Sequence, residues 1–253
     1  MTAAPCGGPL PDPRAHPDKD AALVQAMFDR VAPRYDLVNT VLSAGRDAHW
    51  RRVAARAAAV APGRVALDVA TGTGKVAQEL ARAGAHVCAL DFSVAMLATG
   101  QRRDGVPASV RWCAGDGTRL PLEDASVDAV TIGFGLRNLA DLDAALVEFA
   151  RVARPGARLV ILEFSQPPRA ALRRGYHALL RAAVPRVARA VASDPRAYTY
   201  LAESIAAWPD ATELADRVAA AGWARVGVKR LAAGAVAVHR AVRPAKSPSG
   251  MQS

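Results

Sequence analysis

Cysteine is scarce in this chain, and the few cysteines form no recognisable pattern. The 253 residues contain only Cys6, Cys88 and Cys113, an odd number spread far apart, with no Cys-x-x-Cys pair. This spacing indicates neither a disulfide framework nor a zinc knuckle. The five histidines show no His-x-x-x-His pair, so no metal is expected. Sparse cysteine fits a reducing, cytoplasmic location.

Long apolar runs are also missing. No stretch reaches the ~18 consecutive apolar residues that span a membrane, and the first twenty residues lack the apolar segment of a signal peptide. Hydrophobic residues still make up 51% of the chain, which is enough for a packed core. We expect one domain over residues 21–243, preceded by a flexible leader at 1–20 and followed by a polar tail at 244–253.

Acidic residues are few. The chain has 23 Asp and Glu against 33 Lys and Arg, a formal net charge of +10. This balance is typical of proteins that bind nucleic acid or an anionic membrane, and equally of an arginine-rich composition without such a partner. Six arginines lie between Arg169 and Arg189, a stretch without any acidic residue. Its single aromatic residue, Tyr176, disfavours a nucleic-acid binder, so no nucleic-acid partner is expected.

The same stretch, residues 169–189, is amphipathic. Apolar residues recur from Leu172 at helical spacing, and Pro185 is expected to interrupt the helix. Such a helix lies on an anionic membrane, or it packs on the domain as a lid with solvated arginines, and the two roles are compatible. The stretch belongs to a helical insertion at about 167–207.

Short apolar runs alternate with helical segments from residue 64 onward. The predicted strands are 64–69, 86–90, 110–113, 127–132, 158–164, 223–231 and 235–241. Continuous apolar strands separated by helices predict an α/β fold with a parallel sheet covered on both faces. The last two strands, joined around Gly234, predict a closing antiparallel pair. Helices are predicted within 20–61, with an interruption at Pro33 and a second helix at 47–60.

A glycine loop follows the first strand. The segment from Asp68 to Gly74 reads Asp-Val-Ala-Thr-Gly-Thr-Gly and leads into a helix. Glycines let the backbone approach a ligand, and the helix N-terminus offers free N–H groups. The spacing Gly72-x-Gly74-x-x-Ala77 also fits the dinucleotide fingerprint, so the glycines alone do not choose between a nicotinamide cofactor and another nucleotide.

Three acids at strand ends narrow this choice. Asp68, Asp91 and Asp116 follow the first, second and third strands, whose carboxyl ends meet at one crevice. A carboxylate suits the paired hydroxyls of a ribose, an adenine amino group or an ammonium group, whereas a phosphate would be repelled. S-adenosyl-L-methionine therefore fits better than a dinucleotide. The alternative for Asp68 and Asp116 is that they only cap turns.

Several motifs resemble one family closely. These are Tyr35-Asp-Leu-Val-Asn39 with the following Leu42-Ser-Ala-Gly45 and His49-Trp50, Ile132-Gly-Phe-Gly-Leu-Arg-Asn138, Arg151-Val-Ala-Arg-Pro-Gly156, Leu162-Glu-Phe-Ser-Gln-Pro167, and Ala197-Tyr-Thr-Tyr-Leu-Ala-Glu-Ser-Ile205. The chain resembles the demethylmenaquinone and polyprenyl-benzoquinol C-methyltransferases over roughly residues 24–240. Generic methyltransferases lack the motifs outside the glycine loop, which makes the resemblance specific.

The resemblance implies a Rossmann-like class I methyltransferase fold with a seven-stranded, mostly parallel sheet and a helical lid insertion. It implies C-methylation of demethylmenaquinol to menaquinol, the last step of menaquinone biosynthesis, with S-adenosyl-L-homocysteine as the second product. The alternatives are a benzoquinol or other phenolic acceptor and, more distantly, an NAD-dependent oxidoreductase. The implied partner is a polyprenyl quinol, to which the basic stretch at 169–189 adds a peripheral membrane contact, and a homodimer is a further expectation.

Site residues follow from the motifs and the resemblance together. The expected cofactor contacts are Asp68, Gly72, Thr73, Gly74, Asp91, Phe92, Asp116, Gly117 and Gly133. Gly133 stands where the family usually has Ser, so a hydroxyl contact is lost there.

The expected catalytic residues are Arg137, Asn138, Tyr35 and Asp36. Arg137 with a water is the preferred group for the quinol hydroxyl, with Asn138 orienting it and Asp36 as the runner-up base. Each has a structural alternative: an Arg137–Asp141 bridge, or packing and helix capping by Tyr35 and Asp36. Glu163, at the end of the fifth strand, is either a base or the partner of an arginine.

Overall fold

The computed structural model describes residues 21–191 and 195–245. The predicted leader at 1–20 and most of the tail at 244–253 lie outside these residues, as do the side chains at 21–23, 183–185 and 187–199. The strands are β1 Val65–Val69, β2 His86–Asp91, β3 Val110–Ala114, β4 Val127–Gly133, β5 Ala153–Phe164, β6 Ala224–Leu231 and β7 Val236–Val242. The helices are α1 Ala21–Val31, α2 Tyr35–Leu42, α3 Asp47–Ala58, α4 Lys75–Arg82, α5 Val94–Gln101, α6 Leu142–Val152, α7 Ala170–Val191, α8 Pro195–Ala206 and α9 Ala211–Ala220.

The seven strands form one sheet in the order β3-β2-β1-β4-β5-β7-β6. β1 to β5 pair in parallel, and β7 runs antiparallel between β5 and β6. The expected seven-stranded, mostly parallel sheet with a closing antiparallel pair is therefore confirmed. The strand order reverses between β1 and β4, and ligands of open α/β sheets bind outside the carboxyl ends of strands at such a point.

Both faces of the sheet are covered by helices. Because side chains alternate along a strand, Leu67 and Val69 pack on one face with Phe149 of α6, among other residues. The opposite face packs Ala66 and Val160 against residues of α3 and α4 such as Trp50 and Leu80. Burial of both faces matches the continuous apolar strands of the sequence.

A third cluster lies at the carboxyl edge of the sheet. Val31, Val38 and Met96 join α1, α2 and α5 there, and Leu180 and Leu201 of α7 and α8 pack against them. The N-terminal helices and the helical insertion thus form one cover over the strand ends. Among the helices within 21–191 and 195–245, none is long and apolar enough to cross a membrane.

One predicted helix boundary is wrong, and another lies close to its observed position. α7 runs unbroken from Ala170 to Val191, so the interruption expected at Pro185 is wrong. The N-terminal helical region is divided into α1 and α2 by a turn at residues 32–34, close to the break expected at Pro33. β5 also begins earlier than predicted, at Ala153, because Gly156, with φ +83°, lets the chain turn within the strand rather than before it.

Candidate functional site

The glycine loop connects β1 to α4. Gly72 and Gly74 have φ of +57° and +75°, in the left-handed region that favours glycine. A Cβ at Gly74 would come within 2.3 Å of Cη2 of Trp112, so no larger residue fits without moving the indole. A Cβ at Gly72 would meet no atom within 4 Å. The loop backbone is therefore open on the side of Gly72, where a ligand can approach it.

Asp91 ends β2 beside this loop and is almost completely buried. Its Oδ2 accepts a hydrogen bond of 2.7 Å from the amide of Gly72, and its Oδ1 accepts one of 2.9 Å from the amide of Ser93. Burial raises the pKa of Asp91 to about 6, against the backbone amides of Ser93, Gly72 and Phe92, which lower it. Since a carboxylate has about four acceptor positions, it can still accept from a ligand hydroxyl.

Asp68 holds the glycine loop through hydrogen bonds. The hydroxyls of Thr71 and Thr131 each donate to one of its carboxylate oxygens at 2.6 Å. Burial raises the pKa of Asp68 to about 6 in spite of these hydrogen bonds. The interactions tie the loop to β1 and β4, so the first role of this acid is to hold the loop conformation.

α2 lies across the glycine loop through Asp36. The Thr73 hydroxyl lies 3.0 Å from both carboxylate oxygens of Asp36, and Nζ of Lys75 lies 3.3 Å from Oδ1. Arg103 forms an ion pair with Oδ2. The Asp36 carboxylate is thus held by one hydroxyl and two cations. No sequence pattern indicated a role for Arg103, which reaches this point from beyond the end of α5.

The main cleft opens beside Asp91 and the glycine loop. It has a volume of about 380 Å³. Its lining consists of Phe28, Tyr35, Ala70, Gly72, Asp91, Phe92, Met96, Gly133, Phe134, Gly135, Asn138 and Leu139. Aromatic and apolar surfaces face a single buried acid, the composition of a site for a flat heterocycle carrying a hydroxylated sugar.

A loop cleft of about 330 Å³ continues from the main cleft along the glycine loop. Asp68, Thr73 and Lys75 line it, and Tyr35 and Gly133 line both clefts. Six of the expected cofactor residues thus line at least one of these two clefts: Asp68, Gly72, Thr73, Asp91, Phe92 and Gly133. Gly74 lies in the loop itself and packs against Trp112.

Asp116 and Gly117 lie apart from these clefts. The Asp116 side chain is exposed, and its oxygens accept 2.8 Å hydrogen bonds from the amide and the hydroxyl of Thr118, which is the turn-capping arrangement considered above. Gly117 is buried behind the main cleft, where a Cβ would come within 2.8 Å of Cγ1 of Val69 and 3.1 Å of Leu139. Contact of this pair with an adenine therefore stays a prediction.

Arg137 is buried and paired with Glu163. Its Nη1 lies 2.7 Å from Oε1 of Glu163 and donates at 2.6 Å to the carbonyl of Phe134, while the guanidinium lies over the Phe164 ring at 5.1 Å. Asp141 instead caps α6, accepting a 2.9 Å hydrogen bond from the amide of Ala144. The alternative Arg137–Asp141 bridge is thus wrong, and Glu163 is the arginine's partner.

A side cleft of about 370 Å³ joins the main cleft on the side of α1 and α2. It is lined by Met27, Phe28, Val31, Tyr35, Asn39, Arg137, Asn138, Tyr200 and Leu201. Phe28, Tyr35 and Asn138 line both the main and the side cleft, so they mark the passage between the two. Three of the four expected catalytic residues therefore meet at the side cleft, and Asp36 does not.

Polar side chains of the helical insertion and α2 meet around Arg137. The Tyr200 hydroxyl lies 3.5 Å from Oδ1 of Asn138, and burial raises the pKa of both Tyr176 and Tyr200, so both phenols stay neutral. Within the described part of the chain, Oη of Tyr176 and Nδ2 of Asn39 are buried without a hydrogen-bond partner. The sequence analysis did not place Tyr176 or Asn39 in the site. Asn39 nevertheless stands one helical turn after Tyr35, the spacing that places two side chains on one helix face.

The described residues fit S-adenosylmethionine in three respects. Asp91 is oriented by two amides at the edge of the main cleft, Gly72 leaves the loop backbone open, and Phe92 and Met96 supply apolar surface. A Cβ at Gly133 would come 3.0 Å from Cγ2 of Val76, so the serine usual in the family would require Val76 to shift. Glycine here leaves that part of the cleft wider.

Comparison with known proteins points to one family. The model of the ubiE/COQ5 methyltransferase family matches residues 16–243. The demethylmenaquinone methyltransferase of Mycobacterium sp. (strain JLS) is 54% identical over 231 residues, which are 91% of this chain and 98% of the relative. The protein of the same name from Mycobacterium tuberculosis (strain ATCC 25177 / H37Ra) is 52% identical over 233 residues, 92% of this chain and 97% of the relative.

Solved structures share the fold. A S-adenosylmethionine-dependent methyltransferase from Thermotoga maritima has a TM-score of 0.63 at 18% identity, over 87% of this chain and 99% of the other. Phosphoethanolamine N-methyltransferase 2 of Haemonchus contortus, in complex with S-adenosyl-L-methionine, has a TM-score of 0.53 at 16% identity, over 74% of this chain and 50% of the other. These neighbours confirm the class I methyltransferase fold.

Proposed function

This chain belongs to the ubiE/COQ5 methyltransferase family, and we propose that it transfers a methyl group from S-adenosylmethionine to the ring of demethylmenaquinol, giving menaquinol. Identity of 54% to a demethylmenaquinone methyltransferase over 91% of the chain supports this acceptor. The observation in the structure that supports it most is the side cleft. It opens into the main cleft past Asn138, so a ring bound there would stand next to a cofactor bound at Asp91.

The cofactor would be held by residues of the main and loop clefts. The two amides that orient the Asp91 carboxylate leave it ready to accept from the ribose hydroxyls. Phe92 and Met96 offer apolar surface to the adenine, with Asp116 and Gly117 as the further contacts that the resemblance implies. The loop between Gly72 and Gly74 and the nearby Asp68 would face the methionine part. Bound S-adenosylmethionine supplies an electrophilic sulfonium methyl group.

The protein has to make a ring carbon nucleophilic and keep water away. The ring carbon gains electron density when the hydroxyl next to it loses its proton. Glu163 is ion-paired with Arg137, and Asp36 is ion-paired with Lys75 and Arg103, so both carboxylates already bind cations of the protein. We therefore keep a water beside Arg137 as the proton acceptor.

Asn138 orients the phenolate in this scheme. Its side chain lines both clefts, next to the point where the methyl group would cross from one to the other. Tyr35 and Phe28, which also line both clefts, exclude solvent and align the ring, and alignment contributes much of the rate enhancement in such a transfer. A homodimer stays a prediction.

A methyl-transfer assay tests the function. The purified protein is incubated with S-adenosylmethionine and either demethylmenaquinol or its benzoquinol counterpart under reducing conditions, and methylated product is measured by mass. We expect product with the naphthoquinol and a thermal shift with S-adenosylhomocysteine. Faster transfer to the benzoquinol would favour the alternative acceptor. No transfer to either quinol, together with a thermal shift by NADH instead, would favour an oxidoreductase.

We further propose that the outer surface of α2 and α7 rests on an anionic membrane. Leu37 and Val41 of α2 are exposed, as are Leu172 and Leu179 of α7, and the two helices are in contact. Exposed arginines of α7 accompany this apolar surface: Arg173, Arg174, Arg181 and Arg186. Apolar side chains flanked by cations match an anionic lipid surface, and the isoprenoid tail of the acceptor lies in such a membrane.

Liposome flotation tests the membrane contact. At low salt we expect the protein to float with vesicles containing phosphatidylglycerol and not with phosphatidylcholine vesicles. Leu37→Glu should reduce flotation, because it places an acid in the proposed contact. Val147→Glu is the matched control, since Val147 is 57% exposed against 54% for Leu37 but lies on α6. No flotation at low salt, or equal loss in both variants, would refute the contact.

A further inference from the structure

Asn39 is a half-buried residue whose side-chain nitrogen is fully buried. It lies on α2 one turn after Tyr35, and both side chains line the side cleft. Its Nδ2 is inaccessible to solvent and has no hydrogen-bond partner among the residues that the structure describes. A buried donor without an acceptor is costly, so such a group in a cleft suits a ligand that brings an acceptor.

The other side chains of the side cleft divide into apolar and polar ones. Met27, Val31 and Leu201 supply apolar surface, whereas Asn138 and Tyr200 lie within 3.5 Å of each other and supply polar atoms. A flat ring with oxygen atoms on its rim matches this division. A ring with two opposed oxygens needs polar groups at two places, and Asn138 accounts for one of them.

The positions of the two amides distinguish the two oxygens. Asn138 lines the main cleft as well as the side cleft, whereas Asn39 lines the side cleft alone. The ring oxygen next to the methyl-accepting carbon has to lie near the cofactor, and so near Asn138. The opposite oxygen, which does not activate that carbon, then lies deeper in the side cleft, on the side of Asn39.

We propose that Asn39 determines acceptor specificity by donating a hydrogen bond from Nδ2 to the quinol oxygen remote from the methyl-accepting carbon. This inference rests on the proposed function. It assigns Asn39 to recognition of a 1,4-diol rather than to the chemistry of transfer. A site that donates a hydrogen bond to a substrate oxygen discriminates against the analogue that lacks this oxygen.

Two acceptors and three variants test it. The acceptors are a short-chain demethylmenaquinol and the corresponding 1-naphthol, which keeps the hydroxyl next to the methyl-accepting carbon and lacks the remote one. Asn39→Leu replaces the amide by an apolar side chain of similar branching, and Asn39→Ala removes it without adding bulk. Thr40→Val is the matched control, because Thr40 is the exposed neighbour on the same helix. The quantity compared is kcat/KM for the diol divided by kcat/KM for the naphthol.

We expect both Asn39 variants to lower this ratio about tenfold relative to the wild type, and Thr40→Val to leave it unchanged. The ratio is independent of the fraction of enzyme that is folded, because both acceptors meet the same sample. Intrinsic reactivity of the two acceptors also cancels between proteins. A structural role of Asn39 would lower both rates together and leave the ratio unchanged.

The outcomes separate the two proposals. If the wild type methylates the diol and the ratio is the same in all variants, Asn39 does not read the remote oxygen and this inference is overturned alone. If the wild type methylates neither acceptor while S-adenosylhomocysteine still stabilises it, the proposed function fails and the inference fails with it.

Discussion

The buried pair Arg137–Glu163 allows a quantitative test of how the site is built. Its two side chains are 5% and 0% exposed, and Nη1 of Arg137 lies 2.7 Å from Oε1 of Glu163. The carboxylate also accepts from the amides of Phe164 at 2.9 Å and of Arg137 at 3.3 Å. Replacement of Arg137 alone by Met therefore leaves a carboxylate in the core with two amides and no counter-charge.

The expected cost follows from this burial. Removal of one member of a buried ion pair destabilises a protein by ~3–5 kcal/mol, because the remaining charge is desolvated without compensation. The free energy of unfolding of a typical protein is only ~5–15 kcal/mol. For a chain of this size, ~1 kcal/mol lowers Tm by roughly 2–4 °C, so Arg137→Met should lower Tm by roughly 6–20 °C. Glu163→Gln should have a similar effect, since it removes the carboxylate charge that is paired with the guanidinium.

The assay is a double-mutant cycle measured by urea and thermal denaturation. The double variant Arg137→Met/Glu163→Gln carries no buried charge, and its neutral amide can still accept from one of the backbone amides. We expect it to be more stable than either single variant, with a coupling free energy of ~2 kcal/mol or more. If each single variant loses less than ~1 kcal/mol in free energy of unfolding, or if the two losses simply add in the double variant, the two side chains do not form a coupled buried ion pair.

The same four proteins show whether Arg137 also acts in the reaction. Because the single variant is expected to be unstable, loss of turnover in it alone is ambiguous. If the double variant regains stability and binds S-adenosylhomocysteine normally, yet has turnover reduced by orders of magnitude, Arg137 contributes to transfer beyond its ion pair. If turnover returns together with stability, the role of Arg137 is to hold the turn that carries Asn138.

Two further predictions concern the acids and the glycines of the loop. Burial raises the pKa of Asp68 and Asp91 from 3.8 to about 6, so the stability they contribute is present below pH 3.8 and is lost as pH rises through about 6. In urea denaturation without cofactor, the free energy of unfolding of Asp91→Asn should therefore rise by ~1 kcal/mol relative to that of the wild type between about pH 5 and about pH 7. A difference that does not change with pH would contradict this. Gly74→Ala should displace Trp112, change its fluorescence and lower the free energy of unfolding more than Gly105→Ala does. Gly105 is the control because its φ is also positive, at +72°, but a Cβ there meets no atom within 4 Å. Equal effects of both changes would contradict the close packing at Gly74.

Much of the fold could be predicted from local patterns. All seven strands, the antiparallel closing pair and the acids at the ends of β1 and β2 follow from apolar runs, glycines and the rule that ligands bind at strand ends. The interruption expected at Pro185 failed for a physical reason. Proline disfavours a helix through its missing N–H and its ring, but packing of α7 against α8 and α2 outweighs this local preference.

Partners across the sheet could not be predicted in this way. Arg137 is four residues from Asp141, which made a local bridge plausible, but it turns back to Glu163, a neighbour only through the pairing of β4 with β5. Arg103 and Asp36 are likewise far apart in sequence and meet because α2 folds over the glycine loop. A sequence shows the charges, whereas the register and the crossing of elements decide which charges meet.

α2 combines these results, because its eight residues present three different faces. Asp36 holds the glycine loop, Asn39 and Tyr35 line the side cleft, and Leu37 points outward. Because one short helix carries all three faces, a substitution that shifts the helix affects more than one of them. Rates alone therefore cannot assign a role to one α2 residue, since a disturbed glycine loop and a lost acceptor contact both lower turnover. Only a ratio of acceptors isolates the face on which Asn39 lies.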